Sequence, residues 1–320
     1  MTAPKPQTDR PVTRADIEAA ADRIAGHVRR TPVIESGAGS LGLDISISLK
    51  LEQLQHSGSF KARGAFNTLL SADVPETGVA AASGGNHGAA VAYAARTLGL
   101  PADIFVPETS SPAKIARIRA AGARLHVGGA RYADAAEACA RHRAATGAMD
   151  IHAYDAAATI AGQGTTALEW LEQVPDLDTV LIAVGGGGLI SGCALWLEGR
   201  VKVVAVEPEG SCALHAALAA GAPVDVTVDS LAADSLGAKR CGDLVHAICA
   251  TRIAKSVLVG DDAIRDAQTR LWRDLQTVAE PGGATALAAL TSGAYAPEPG
   301  ERVGVLVCGG NVALETIAAT

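Results

Sequence analysis

The sequence predicts an α/β protein of open, mostly parallel twisted sheets flanked by helices. Three observations carry this expectation. Short β-branched runs alternate with longer alanine-rich segments of helical spacing, the pattern of right-handed βαβ units. Several runs, among them Thr179–Val184 and Arg302–Val307, are almost wholly apolar, as strands buried on both faces are. Three polar or glycine-rich turns, Ser83–Gly88, Gly185–Gly188 and Cys308–Asn311, directly follow such runs. In parallel sheets ligands gather there, because backbone N–H groups and helix N-termini are free at the carboxyl ends of strands.

In chain order, residues 1–13 are polar and rich in Pro and Thr, a loose tail. A helix is predicted over Arg14–Arg29 and a strand over Ile45–Lys50, followed by a helix over Gly64–Ser71. Strands at Val79–Ala82, Ala102–Val106 and Arg124–Val127 alternate with helices at Gly88–Leu98, Pro112–Ala121 and Ala133–Ala145. A helix at Ala161–Gln173 precedes the strand Thr179–Val184, the helix Leu189–Leu197 and the strand Lys202–Val206. Helices at Asp262–Thr277 and Gly283–Leu290 and the strand Arg302–Val307 close the pattern.

Composition narrows the function. The 320 residues make about two domains' worth of chain. They are 48% hydrophobic and 19% charged with a net charge of −7, which argues against disorder and against a nucleic-acid binder. Six scattered cysteines form no CxxC, so no zinc site or disulfide framework is expected. Val180–Leu197 has the length of a membrane span, but four consecutive glycines break it into strand, loop and helix. With no signal peptide at the start, a cytoplasmic protein without membrane or nucleic-acid partners is expected.

The segment VLIAVGGGGLISG offers an anion site. Without Cβ atoms, Gly185, Gly186, Gly187 and Gly188 let N–H groups converge, and the following helix adds its positive end. A phosphate is the natural ligand. Glu207 ends the next strand roughly 20 residues on, as a dinucleotide site requires. The GxGxxG spacing fails, however, since Ile190 or Ser191 stands at its third position, so a nicotinamide cofactor is the weaker reading. Lys61 stands at an apparent helix start in SGSFKARGAFN, with Ser57 or Ser59 as N-cap. Burial and the helix dipole would both lower its pKa, which Schiff-base chemistry requires. Beside a phosphate cup, such an amine suggests pyridoxal phosphate.

The motifs SFKARGAFN, SGGNHGAAVAYAA, IAGQGTTALE, VGGGGLISG, VEPEG, EPGGA and VCGGN occur in the order seen in fold-type II pyridoxal-phosphate enzymes. The chain most resembles the threonine/serine dehydratase and serine racemase family, from about Lys50 to Asn311. The resemblance implies two twisted sheets of the tryptophan synthase β type. It implies a large cofactor-binding domain of residues 1–76 and 148–320, and a small mobile domain of residues 77–147. It further implies pyridoxal 5′-phosphate, a small-molecule amino-acid substrate and a homodimer. Lys61 would link to the cofactor and take the substrate Cα proton. Phe60 would pack near the ring, Asn86 bond the 3′-oxygen, the four glycines hold the phosphate, and Cys308 face the pyridine nitrogen. Ser83, Gly84, Asn86 and His87 would form the loop that receives the substrate carboxylate, although a satisfied structural histidine is an equal reading of His87.

Two departures bear on the reaction. Racemases of this group carry a second serine after the one matching Ser83, as acid on the face opposite the lysine; here that residue is Gly84. Glu207 matches a cation ligand, but Ala213 replaces the carboxylate expected six residues on. Backbone carbonyls near Ser211 remain to complete an oxygen site for a divalent or monovalent cation. A neutral thiol at position 308 makes the ring a weaker electron sink than a carboxylate would, which favours loss of a β-substituent over transamination. The expected reaction is dehydration and deamination of L-threonine or L-serine, with the leaving hydroxyl protonated by the cofactor phosphate as the family implies. Alternatives are a serine racemase, a lyase for hydroxyaspartate or phenylserine, and a silent binding protein on the same fold. Nine residues follow Asn311, so no regulatory domain is expected there.

Overall fold

The computed structural model describes residues 11–110 and 112–313; residues 1–10 of the expected tail lie outside them. Ten strands are described: β1 (Val33–Ser36), β2 (Ile47–Leu51), β3 (Val79–Ala82), β4 (Ala102–Val106), β5 (Arg124–Val127), β6 (Met149–Asp150), β7 (Thr179–Ala183), β8 (Lys202–Pro208), β9 (Lys255–Val259) and β10 (Val303–Val307). They form a six-stranded sheet in the order β1-β2-β10-β7-β8-β9 and a four-stranded sheet in the order β5-β4-β3-β6. Every pairing is parallel except β1 with β2. The α/β fold of two mostly parallel sheets flanked by helices is therefore as the sequence predicts. The small sheet reaches Asp150, slightly past the expected boundary at residue 147.

Central strands bury every residue, as their unbroken apolar runs require: β2, β7 and β10 are buried throughout. Alanine-rich helices press closely on them. Pro281–Thr291 buries nine consecutive residues, Gly282 to Leu290, and so has no solvent face over that stretch. The first described helix, Arg14–Ile24, is held at its start by a capping box between Thr13 and Asp16, and ends five residues earlier than expected. Three helices were not foreseen: Ala213–Ala220, Ala233–Leu236 and Asp243–Cys249. The last is capped from a distance, its Asp243, Leu244 and Val245 N–H groups donating to the Asp155 carboxylate. No helix among the described residues is long and apolar enough to cross a membrane.

Candidate active site

Topology converges the predicted residues. β2, β10 and β7 are neighbours and run parallel, so their carboxyl ends open on one edge. The chain leaving β2 leads to Lys61, that leaving β10 to Cys308, and that leaving β7 to Gly185–Gly188. One cavity is lined by Phe60, Lys61, Asn86, all four glycines and Cys308. Every residue expected around a cofactor therefore shares a single wall.

Lys61 is the first residue of the helix Lys61–Leu70, which begins three residues before its predicted start. The expected serine caps are corrected: Phe60 is the N-cap, and no side chain caps the helix. Ser57 instead sits in a short 3₁₀ turn with φ 60°, and Ser59 is extended and bridged to Gly309. The Lys61 amine donates to the Ala153 carbonyl at 2.7 Å and stands 5.1 Å from the Phe60 ring centroid. Burial pushes its pKa down to about 8. A substantial neutral fraction near that pH is what a nucleophilic amine needs.

The glycine loop enters the helix Gly188–Leu197 through Gly187, at φ 91°. A side chain is excluded on its packed side: a Cβ on Gly186 would lie 2.2 Å from the Tyr154 ring, and one on Gly185 2.8 Å from the Leu236 Cα. The loop is thus a backbone surface at the positive end of a helix, suited to a phosphate. Cys308 is buried, its thiol donating to the Gly282 carbonyl at 3.4 Å. Burial, then the Glu280 carboxylate, push its pKa far up, so it is a neutral thiol at physiological pH. A lysine amine of lowered pKa, a side-chain-free anion cup and a neutral hydrogen-bonding group in one cavity fit pyridoxal phosphate.

The loop after β3 is arranged differently from expectation in its side chains. Ser83 Oγ is turned into its own loop, accepting from the Gly85 N–H at 3.3 Å. The His87 Nε2–H donates to the Ile151 carbonyl at 2.8 Å, and burial followed by the charge of Lys61 pushes that imidazole down to about 3. His87 is therefore a neutral, structurally satisfied histidine, and what it offers a ligand is its backbone N–H in the first turn of the helix Asn86–Thr97. The Asn86 amide donates to Glu280 Oε1 at 2.5 Å, and its oxygen accepts from Asn311 at 2.6 Å. Gly84 does not have positive φ, and a Cβ there would meet Ser110 Oγ at 2.9 Å. Arg131 in the same sheet's loops is exposed and paired with Asp134.

Glu207 has other work than the expected cation. Its fully buried carboxylate accepts from the Leu214 and His215 N–H groups at 2.9 and 2.7 Å, capping the helix Ala213–Ala220. Burial nonetheless pushes it up to about 8. Among the described residues no group of three His, Cys, Asp or Glu side chains is placed to hold a metal. Sequence reasoning missed Ser235 and Glu280 as cavity residues. The EPGGA motif was the available signal for Glu280; nothing local marked Tyr154 or the Ala153 carbonyl.

Residues 24–309 match the family described as pyridoxal-phosphate dependent enzyme. The chain belongs to this family. It is 38% identical over 301 residues to the phenylserine dehydratase of Ralstonia pickettii, covering 92% of each chain. It is 36% identical to the L-threonine ammonia-lyase of Thermotoga maritima, covering 96% of this chain and 77% of that one. The solved structure of maize serine racemase superimposes with a TM-score of 0.89 at 34% identity, over 97% of both chains. The cofactor is therefore pyridoxal phosphate, and the fold is that of the threonine/serine dehydratase and serine racemase group.

Proposed function

We propose that this enzyme is an ammonia-lyase, which dehydrates and deaminates L-threonine or L-serine to a 2-oxo acid and ammonia. The observation that carries the reading is the neutral Cys308 thiol in the same cavity as Lys61, and Gly84, where racemases of the group carry a second serine, supports it. Bound there, pyridoxal phosphate supplies an aldehyde for the amines and an electron sink for the Cα–H bond electrons. Gly185–Gly188 hold its phosphate, and Lys61 carries it and then takes the Cα proton. The first-turn N–H groups of Asn86 and His87 take the substrate carboxylate, while their side chains hold the loop to Glu280, Asn311 and Ile151. Cys308, a neutral thiol, would face the cofactor's pyridine nitrogen without holding it protonated as a carboxylate would, a setting that would favour elimination of the β-hydroxyl over transamination. Closure of residues 77–147 over the substrate, and a cytoplasmic homodimer, complete the reading.

The likeness to a phenylserine dehydratase favours a second reading within the same reaction class, an aromatic β-hydroxy amino acid as substrate. One experiment separates these. Purified enzyme is given L-threonine, L-serine, phenylserine and hydroxyaspartate in deuterated water, with 2-oxo acid detection and chiral chromatography. Fast 2-oxo acid release from threonine or serine supports the first reading, and release from phenylserine alone supports the second. Abundant deuterated D-serine with little 2-oxo acid restores the racemase.

A further inference from the structure

We propose that Arg63 is the positioning residue of Lys61, acting through a buried lattice of four charges behind the helix that both residues share. The proposal rests on Lys61 being the cofactor-bearing lysine. At 3.6 residues per turn, two positions along a helix is about 200° around it, so Arg63 projects opposite Lys61. There it is 1% exposed, beside Glu52 and Lys50 at 0% and Glu169 at 9%. Its guanidinium forks onto Glu52, Nε donating at 2.9 Å and Nη2 at 2.7 Å. Nη2 also donates to Glu169 Oε2 at 3.0 Å, and Nη1 to Thr165 Oγ1 at 3.3 Å. Lys50 pairs with the other oxygen of Glu169, and donates to the Thr31 carbonyl at 2.9 Å and to Gln173 at 2.7 Å. Two cations and two anions thus balance one another in a mostly buried cluster.

The helix beginning at Lys61 lacks a side-chain cap, so core packing of Ala62, Ala65 and Phe66 holds its buried face without fixing its first turn by a polar group. The fork supplies what a cap would not: it fixes roll and axial position together, because two N–H groups must meet two oxygens in one plane. Behind the fork the helix lies in backbone contact with the helix Ala157–Gln173; a Cβ on Gly162 would lie 2.7 Å from the Arg63 carbonyl. That same helix follows Ala153, whose carbonyl accepts from the Lys61 amine. Arg63 therefore ties the base of Lys61 to the element that holds its tip. The arrangement gives a purpose to Arg63 in SFKARGAFN, and to Thr165 and Glu169 in IAGQGTTALE, none of which lines the cavity.

Two charge-balanced double variants separate positioning from mere stability. Arg63→Met with Glu52→Leu removes the fork; Lys50→Met with Glu169→Leu removes an equally buried pair but leaves Arg63 its two bonds to Glu52. The apoproteins are mixed with pyridoxal phosphate. Attachment is followed by visible absorbance across pH, mapped by borohydride reduction, and compared with melting temperature. The first variant should attach cofactor about a hundredfold more slowly, the size of effect a misplacement of roughly 1 Å produces, with a shifted pH midpoint. The second should keep the wild-type rate and midpoint whatever its melting temperature. Arg63→Lys retains the charge but not the fork, and should be slowed as well; if the double variant does not fold, a wild-type rate here overturns the proposal. Equal slowing by both double variants, or slowing by neither, also overturns it. Wild-type label on another lysine defeats the assignment of Lys61 instead.

Discussion

Lys61→Met should stabilise the apoprotein at neutral pH and lose that advantage as the solution is made alkaline. The fall of the amine from its ordinary 10.5 to about 8 is caused by burial. At about 1.4 kcal/mol per decade of proton affinity, it costs the folded state about 3 kcal/mol while the lysine is charged. Below pH 8 the amine is protonated in both states and the whole cost is present. Between pH 8 and 10.5 the folded protein has released the proton while the unfolded chain retains it, so wild-type stability rises through that window. At pH 9.5 about half the cost remains. Methionine removes the charge but leaves the Ala153 carbonyl without its donor, a loss of about 1 kcal/mol. The variant should thus be more stable by about 2 kcal/mol at pH 7 and roughly equal at pH 9.5. Paired urea unfolding curves of cofactor-free proteins at pH 7, 8.5 and 9.5 measure the difference. A constant difference across this range, or a variant less stable at pH 7, would refute a buried amine of lowered pKa.

The other expectations follow from the same cavity. Cys308→Ser should keep most of its elimination rate, since a hydroxyl can donate to Gly282 as the thiol does; activity as low as that of Lys61→Ala would reveal a chemical role for sulfur. Cys308→Asp should instead lower the melting temperature, because a second carboxylate beside Glu280 leaves buried charge unpaired, at about 3–5 kcal/mol. Gly186→Ala should weaken cofactor retention on dialysis by forcing a methyl against Tyr154, an overpacking cost of about 1–3 kcal/mol, and Tyr154→Ala should restore it. Gly84→Ser should raise D/L exchange relative to elimination; since Gly84 lacks positive φ, the neighbouring Ser110 hydroxyl is all that must move, and no gain in exchange would count against Gly84 as the determinant.

The strands that sequence reading missed share one physical feature, although the edge strand β5 shares it too and was recovered as Arg124–Val127. β2, β7, β8 and β10 lie inside the large sheet and need apolar side chains on both faces, so each is a visible run. The missed strands β1, β6 and β9 are all edges, paired on one side only. β9 is half wet and opens with an exposed lysine, β1 is the antiparallel edge, and β6 has two residues. No periodicity can mark such segments. The cofactor wall was legible because lysine, glycine loop and strand-end cysteine each break a local rule. The long-range partners were not: Asp155 capping a helix 88 residues away, or Tyr154 filling the space beside Gly186, are decided only by assembly. The side-chain partners of His87 and Glu207 were illegible for the same reason, since a buried polar residue bonded to backbone has the same letter as one facing a ligand.

The parallel arrangement also explains why chemistry occupies only one end of the large sheet. At the carboxyl ends of β2 and β7 the chain turns away into helices, so Lys61 and the loop Gly185–Gly188 stand at the starts of Lys61–Leu70 and Gly188–Leu197. Anions and amines of lowered pKa are both favoured there. At the amino ends β7 and β10 start at Thr179 and Val303 and the neighbouring β8 at Lys202, where Glu301 accepts from Tyr295 at 2.8 Å and pairs with Lys202. Those groups satisfy one another, and the open cleft they line with Arg200 and Pro299 holds no buried amine or side-chain-free loop. One sheet direction therefore places Lys61, Gly185–Gly188 and Cys308 on one rim. The second sheet needs to contribute only one loop, after β3, to bring Asn86 and the start of its helix against that rim, where Glu280 and Asn311 fasten it.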